Sequence, residues 1–290
     1  MKKSIKLILI TILFISCNNR EEILDKSKML GNDYRLFQNT PAWLLAKAVE
    51  NGDTSKIINE VFKKGIKVDF KEPIFGNTLL MLAIANSNYT SAKTLLNLHS
   101  DPNLTDNYRG SSAIIDASEN EDPKYLSLVL KYKGNPNAIE SAPIKKDDEV
   151  RNTALNTAIS LSNRNALEKV KLLVDAGANV NYSNGESTQT PLSYSIIAGK
   201  MDVLLYLLQK GADYRGIIYK IVNGPNVYIL GALRCSLFEL DSNQYKEKLK
   251  VISFLKNKGL DYKNEPIPEF IIKRIKKKYP TTWQKYIDLY

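Results

Sequence analysis

The chain has a single histidine, His99, and two cysteines, Cys17 and Cys235. One histidine excludes a multi-histidine metal site, and His99 falls where a helix is expected to end, which argues against a histidine-based triad. Two cysteines so far apart form no paired-cysteine zinc pattern. Two cysteines leave the disulfide question uninformative, and Cys235 sits in the apolar "ILGALRCSLFEL", where it reads as core. No glycine-rich phosphate loop and no low-complexity run occur. Long apolar runs are also missing. The main one, Leu7 to Ile15, is well short of the roughly 20 residues that a spanning helix needs. Negative charge is the scarcer sign, with 31 Asp and Glu against 41 Lys and Arg, a net +10. Much of the excess lies in "KRIKKK", Lys273 to Lys278. Such clusters bind nucleic acid or anionic lipid head groups. The alternative is the solvated face of a helix whose Phe270, Ile271, Ile272 and Ile275 pack inward.

What the chain does have is a repeated punctuation. "VKLLVDAGANVNYSNGE", Val170 to Glu186, runs apolar pairs into Gly177 and then a turn-rich loop. The same ending recurs at Gly65, His99, Lys133, Gly211 and Gly259, in steps of 34, 34, 44, 34 and 48 residues. A second shared segment precedes most copies: "GNTLLMLAIANSN" from Gly76, "GSSAIIDASENED" from Gly110, "RNTALNTAISLSN" from Arg151 and "TQTPLSYSIIAGK" from Thr188. Thr78, Ser112 and Thr190 stand at one equivalent position, suited to capping a helix, and Pro191 suits its first turn. Thr40-Pro41 repeats that start signal. Ala83, Ala117, Ala158 and Ser195 share another position, as a close helix–helix contact requires. Glycine at Gly177 and Gly211 can enter the left-handed conformation that ends a helix. Each copy is therefore helix, turn, helix, loop. One pair cannot bury its apolar stripe alone, so the copies stack. The longer steps place insertions at "IESAPIKKDDEVR", at "SNRNALE" and, most divergent, across Gly216 to Lys248.

"TQTPLSYSIIAGKMDVLLYLLQKGADYR" and "LLVDAGANVN" resemble the ankyrin-repeat family, with its Thr-Pro-Leu, paired leucines and Gly-Ala-Asp. The resemblance covers residues 40–263 and implies an all-α solenoid of five to six helix-turn-helix repeats. Residues 264–290, broken at Pro280, read as a C-terminal helical cap carrying the basic cluster. His99 and Lys133 depart from the family's glycine. The family binds proteins on a concave side made of finger-like loops and the first helix of each repeat. Carried over by position, the finger candidates are Phe75, Tyr108, Arg109, Tyr182, Asn184, Glu186, Tyr214 and Arg215. The inner-helix candidates include Leu82, Asp116, Glu119 and Tyr194.

The N-terminus carries a second signal. "MKKSIKLILITILFISC" has lysines at positions 2, 3 and 6, a short apolar stretch, then Ser16-Cys17. This is the layout of a secretory signal over residues 1–16. A cysteine after a small residue is similar to the lipobox of bacterial lipoproteins, which implies acylation of Cys17, with Phe14 in place of the usual aliphatic residue. Acyl chains contribute about 0.8 kcal/mol per buried CH₂, so two or more anchor stably. Residues 17–39 then read as lipidated cysteine and tether, and the expected location is the bacterial envelope, at the outer membrane facing periplasm or surface.

No constellation for catalysis, metal or cofactor is visible. "KKDDE" at 145–149 reads as a solvated loop tip, and Asp116, Glu119 and Asn120 as one polar helix face. The leading expectation is a non-catalytic protein-binding module with no cofactor and no nucleic-acid partner, either an adaptor for an envelope protein or an immunity protein against a secreted toxin. The alternatives are an envelope enzyme and a structural or polyanion-binding role through the basic tail.

Overall fold

A computed structural model describes residues 25–142, 151–160, 162–183 and 188–290. Six helix pairs follow one another. They are α1 (Trp43–Glu50) with α2 (Thr54–Ile58), α3 (Leu79–Ala85) with α4 (Tyr89–Asn97), and α5 (Ala113–Glu119) with α6 (Pro123–Lys131). Then come α7 (Ala154–Ile159) with α8 (Ala166–Asp175), α9 (Pro191–Ile197) with α10 (Met201–Gln209), and α11 (Ile229–Cys235) with α12 (Asn243–Asn257). A π-helical turn, Asn59–Lys63, prolongs α2. Neighbouring first helices pack on one another, as do neighbouring second helices, so the stack is the all-α solenoid expected from the repeats. Strand is confined, among the described residues, to β1 (Tyr219–Lys220) and β2 (Asn226–Val227), a small antiparallel hairpin in the most divergent copy.

Local chemistry sets the helix starts. Thr78, Thr153 and Thr190 hold extended backbone and accept from the N–H of Met81 (3.4 Å), Asn156 (3.0 Å) and Ser193 (3.2 Å). Ser112 occupies the equivalent place with the same extended backbone, but its hydroxyl makes no cap. The Thr40-Pro41 signal also acts differently: Thr40 accepts from the Ala42 N–H at 3.3 Å, and α1 begins only at Trp43. Ala83, Ala117, Ala158 and Ser195 are all fully buried in the stack.

The helix ends are more uniform than their residues. Gly65, His99, Lys133, Gly177, Gly211 and Gly259 all have positive φ, from 66° to 98°. Past α4, α6, α8, α10 and α12 the same reverse turn forms. The Ser100 N–H donates to Leu95, Gly134 to Val129, Ala178 to Leu173, Ala212 to Leu207 and Leu260 to Leu255. His99 and Lys133, which break the glycine pattern, therefore adopt the glycine conformation, each at φ 66°. A Cβ built on Gly65, Gly177, Gly211 or Gly259 meets nothing within 4 Å, so a side chain there costs backbone strain but causes no clash.

An asparagine ladder fixes each repeat on the next. Asn103 donates its amide to the Lys133 carbonyl (3.1 Å) and accepts from the Asn135 N–H (2.7 Å). Asn137 does the same to Gly177 (3.0 Å) and Asn179 (2.7 Å), and Asn181 to Gly211 (3.3 Å) and Asp213 (2.8 Å). Asp69 holds the corresponding place one repeat earlier, accepting from the Ser100 hydroxyl (2.6 Å) and the Asp101 N–H.

Both ends of the stack are closed. The segment read as a tether reaching residue 39 is already packed from Tyr34: Leu36 and Phe37 are fully buried, and the Lys26 ammonium donates to the Leu36 carbonyl at 2.8 Å. The stack thus begins before residue 40. At the other end α13 (Glu269–Lys278) and α14 (Trp283–Leu289) form the cap, with Tyr245, Ile271, Ile275, Tyr286 and Tyr290 as a separate small core. Ile271 and Ile275 point inward as expected, whereas Phe270 does not and is 52% exposed. Arg234 and Lys248 are buried beneath this cap. Arg234 donates to the carbonyls of Tyr262 (2.8 Å) and Glu265 (3.0 Å), and the Lys248 ammonium lies 3.8 Å from the Tyr290 ring centroid. Cys235 is half-buried against the same small core.

The left-handed ends yield a test. Lys133→Gly removes the Cβ penalty and should raise stability by about 0.5–1 kcal/mol after the entropic cost of glycine in the unfolded chain. Urea unfolding followed by circular dichroism reads it. A loss of stability would mean that the Lys133 side chain, not the backbone, holds this helix end.

Candidate protein-binding groove

The loops between repeats narrow into fingers, each closed by a single antiparallel bridge: Lys71 to Thr78, Thr105 to Ser112 and Ile139 to Thr153. A carboxylate organises each finger from inside. Glu72, 1% exposed, accepts from the N–H groups of Ile74, Phe75 and Asn77 at 2.6–3.0 Å. Asp106 accepts from Tyr108, Arg109, Gly110 and Ser111 at 2.6–3.1 Å. Glu140 accepts from the Asn152 N–H (2.9 Å) and takes both arms of the Arg109 guanidinium (2.8 and 2.9 Å). Successive fingers are also hydrogen-bonded to each other. Asn107 donates to the Phe75 carbonyl, Ser141 to Gly110 and Ala142 to Arg109. The last contact is tight: a Cβ on Gly110 would stand 2.3 Å from the Ala142 nitrogen.

Between these fingers and the first helices lies a cavity of about 620 Å³. Phe75, Tyr108 and Arg109 line it from the fingers, Asp116 and Glu119 from α5, Asn156 and Thr157 from α7, and Tyr194 and Ile197 from α9. Phe75 and Tyr108 meet edge to face, centroids 6.0 Å apart. Tyr108 and Ile197 are 59% and 60% exposed, an apolar rim above a polar floor. A second depression of about 630 Å³, lined among others by Asn32, Ser87, Asn120 and Glu121, shares Asp116 and Glu119 with the first. These two carboxylates therefore sit where the cavities meet.

The floor is acidic. In the first cavity Asp106, Asp116, Glu119 and Glu140 face one cation, Arg109, which is bound to Glu140. Asp116 is half-buried and has one hydrogen bond, from the Ser111 hydroxyl at 3.1 Å. Loss of solvent around its carboxyl pushes the pKa up to about 7, the Ser111 bond opposes this, and the charges of Asp106, Glu119 and Glu140 add to it. Tyr194 is likewise pushed up by burial.

Six of the predicted site residues converge here: Phe75, Tyr108, Arg109, Asp116, Glu119 and Tyr194. Tyr182, Tyr214 and Arg215 do not line the cavity. Arg215 instead pairs with Asp213 at 3.1 Å on the next finger. Asn184, Glu186 and Cys17 lie outside the described residues. Leu82, read as groove-facing, is buried in the core at 1% exposure. Sequence reasoning missed Glu72, Asp106, Glu140 and Asn156. The first three recur at the repeat's own 34-residue step, a signal that was available in the chain. Among the described residues no group of three His, Cys, Asp or Glu is placed to hold a metal ion, and no helix is long and apolar enough to cross a membrane.

Fold and groove together define a solenoid of helix pairs with a finger-lined concave face, the architecture of a protein-binding repeat. A family model for ankyrin repeats matches residues 45–140 and 132–216, and the chain belongs to the ankyrin-repeat family. It is 26% identical over 211 residues to the ankyrin repeat and KH domain-containing protein mask-1 of Caenorhabditis elegans, covering 66% of this chain but only 8% of that protein's length. Among solved structures it is similar in fold to the ankyrin repeat domain of Bcl-3, a member of the IkappaB family. The TM-score there is 0.52 at 24% identity, covering 75% of this chain and 86% of that one. The ankyrin repeat protein EF0377 is similar at TM-score 0.50 and 22% identity, covering 72% and 96%.

Asp116 gives this face a measurable signature. Its folded pKa is raised from 3.8 to about 7, so the folded chain holds the proton more tightly and stability falls as pH rises through that window. Asp116→Asn should therefore be more stable than wild type by roughly 1–3 kcal/mol at pH 8, with the gap closing toward pH 4. Urea titrations at the two pH values measure it. An equal difference at both would show that Asp116 titrates as an ordinary surface carboxylate.

Proposed function

We propose that this chain is a lipid-anchored binding module of the bacterial envelope that recognises a protein partner with its concave groove. Ankyrin repeats are in general interaction modules, and the observation that carries the reading here is the groove itself. Its exposed aromatic and aliphatic rim lies over buried polar groups, the arrangement in which a few anchor residues carry most of the binding energy. The anchor is supported by the sequence alone: the lysine-led apolar leader ending in Ser16-Cys17. An adaptor for an envelope protein and an immunity protein against a secreted toxin use the same face. They differ in whether the bound partner is itself harmful to the cell.

The basic tail fits a supporting role better than a binding one. Lys273 pairs with Glu269 (2.9 Å), Lys278 with Glu239, and Lys276 covers the Trp283 ring at 4.2 Å, so three of the cluster's five cations are engaged within the cap.

Two experiments test the proposal. Partner capture from envelope extracts with the full chain as bait should be lost with Tyr108→Ala and Ile197→Ala combined, since two rim anchors are worth about 2 kcal/mol or more. The far-UV spectrum should be unchanged. Retained capture would move the binding site off the concave face. For the anchor, wild type should partition with membranes and Cys17→Ala should stay soluble or uncleaved. A Cys17→Ala protein that still floats with lipid and is cut at the same site would rule out acylation.

A further inference from the structure

The groove carries the opposite charge to the chain. Against a net +10 overall, its floor sets four carboxylates against one guanidinium. Two of these carboxylates are committed: Asp106 to four backbone N–H groups, and Glu140 to Arg109 and the Asn152 N–H. Asp116 and Glu119 are not. Asp116 meets one hydroxyl, and Glu119 is exposed and makes no hydrogen bond or ion pair among the described residues. Lys169, whose charge also reaches Glu119, is buried and gives its ammonium to the carbonyls of Ser118 (2.8 Å) and Asn120 (2.5 Å).

A second observation points the same way. Asn156, 3% exposed, lines the same cavity, and its Oδ1 has no hydrogen-bond partner among the described residues. Buried acceptors without partners are rare in folded proteins. An amide oxygen and two carboxylates all accept, so whatever completes this site must be rich in donors and positively charged. A neutral donor would leave the carboxylates uncompensated, and a metal ion lacks the three converging acidic ligands among the described residues. The walls select further. Phe75 and Tyr108 on one side and half-buried Tyr194 on the other offer aromatic surface to a cation on an apolar stem.

We propose that Asp116 and Glu119, with Asn156 behind them, seat a lysine or arginine side chain of a protein partner, entering between the Phe75–Tyr108 finger and Tyr194. This rests on the concave groove being the partner-binding face. The two cavities that meet at Asp116 and Glu119 extend the seat into a channel, so the occupant is a basic segment running across the repeats, not an isolated ion.

The test is a titration of the isotope-labelled full chain with tri-lysine amide and tri-arginine amide, followed by NMR, with tri-norleucine amide as the uncharged control. The cationic peptides should shift the Asn156 side-chain amide, and the control should not. Asp116→Asn with Glu119→Gln should weaken cationic binding about tenfold, equivalent to ~1.4 kcal/mol. Unchanged affinity in the double variant, or binding that leaves the Asn156 amide in place, would overturn the seat. So would a wild-type chain that ignores the cationic peptides while partner capture still depends on Tyr108 and Ile197. That result would leave the binding face standing, whereas loss of both dependences would remove the face as well. A concentration-dependent dimer abolished both by Asp116→Asn and by neutralising Lys273, Arg274 and Lys276 to Lys278 would assign the seat to a second copy, against a separate partner.

Discussion

The asparagine side chain that crosses from one repeat to the next is the contact on which the rest of this molecule depends. Asn103, Asn137 and Asn181 each satisfy two backbone groups of the following repeat, the carbonyl of its left-handed residue and the N–H two positions on. The bonded groups lie at the end of the second helix, so the ladder fixes where each helix pair stops relative to its neighbour. Hydrophobic burial drives stacking but is non-directional. The ladder supplies direction, and with it a constant offset between successive fingers. Without that offset the cavity walls contributed by α5, α7 and α9 would not face a common space.

A division of labour among carboxylates follows. Glu72, Asp106 and Glu140 sit at one repeat position and hold the finger backbone in place, which is why Tyr108 and Arg109 project toward the cavity. Asp116 is different in kind. It is desolvated, close to like charges, and supported by one hydroxyl, an arrangement that costs stability in the free protein. Groups that weaken a fold yet face a groove are where binding energy is stored, because a ligand that compensates them gains what the folded chain lost.

How far the sequence disclosed all this depends on the length scale of the cause. Helix starts at Thr78 and Thr190 and ends at Gly177 and Gly211 come from contacts within a few residues, and they were legible. His99 and Lys133 looked like departures, because residue type was read in place of backbone requirement. Both take the same positive φ, since the reverse turn that ends the helix requires it of whichever residue stands there. The Asn-Val-Asn of residues 179–181 was visible as a pattern, but its purpose lies 30 residues downstream, at Gly211. Leu82 and Asp116 show the limit most plainly. Both fall on first helices and were read as groove-facing, yet one is core and the other is floor. Helical spacing gives an angle around the helix axis, and only packing against both neighbours says which angle meets solvent.

A strongly basic chain with an acidic groove has a consequence for association. The long-range field of a +10 protein repels cationic partners at a distance, so a lysine- or arginine-bearing segment gains little steering from net charge. Its attraction is confined to the groove, within about a Debye length of ~8 Å at physiological salt. At that range the low-dielectric walls of Phe75, Tyr108 and Tyr194 strengthen the pull of Asp116 and Glu119 as water is displaced. The charge pattern therefore separates approach from fit. Non-specific polycations are held off by the whole molecule, and only a segment whose shape lets one cation reach the floor past the aromatic rim meets the local field in full.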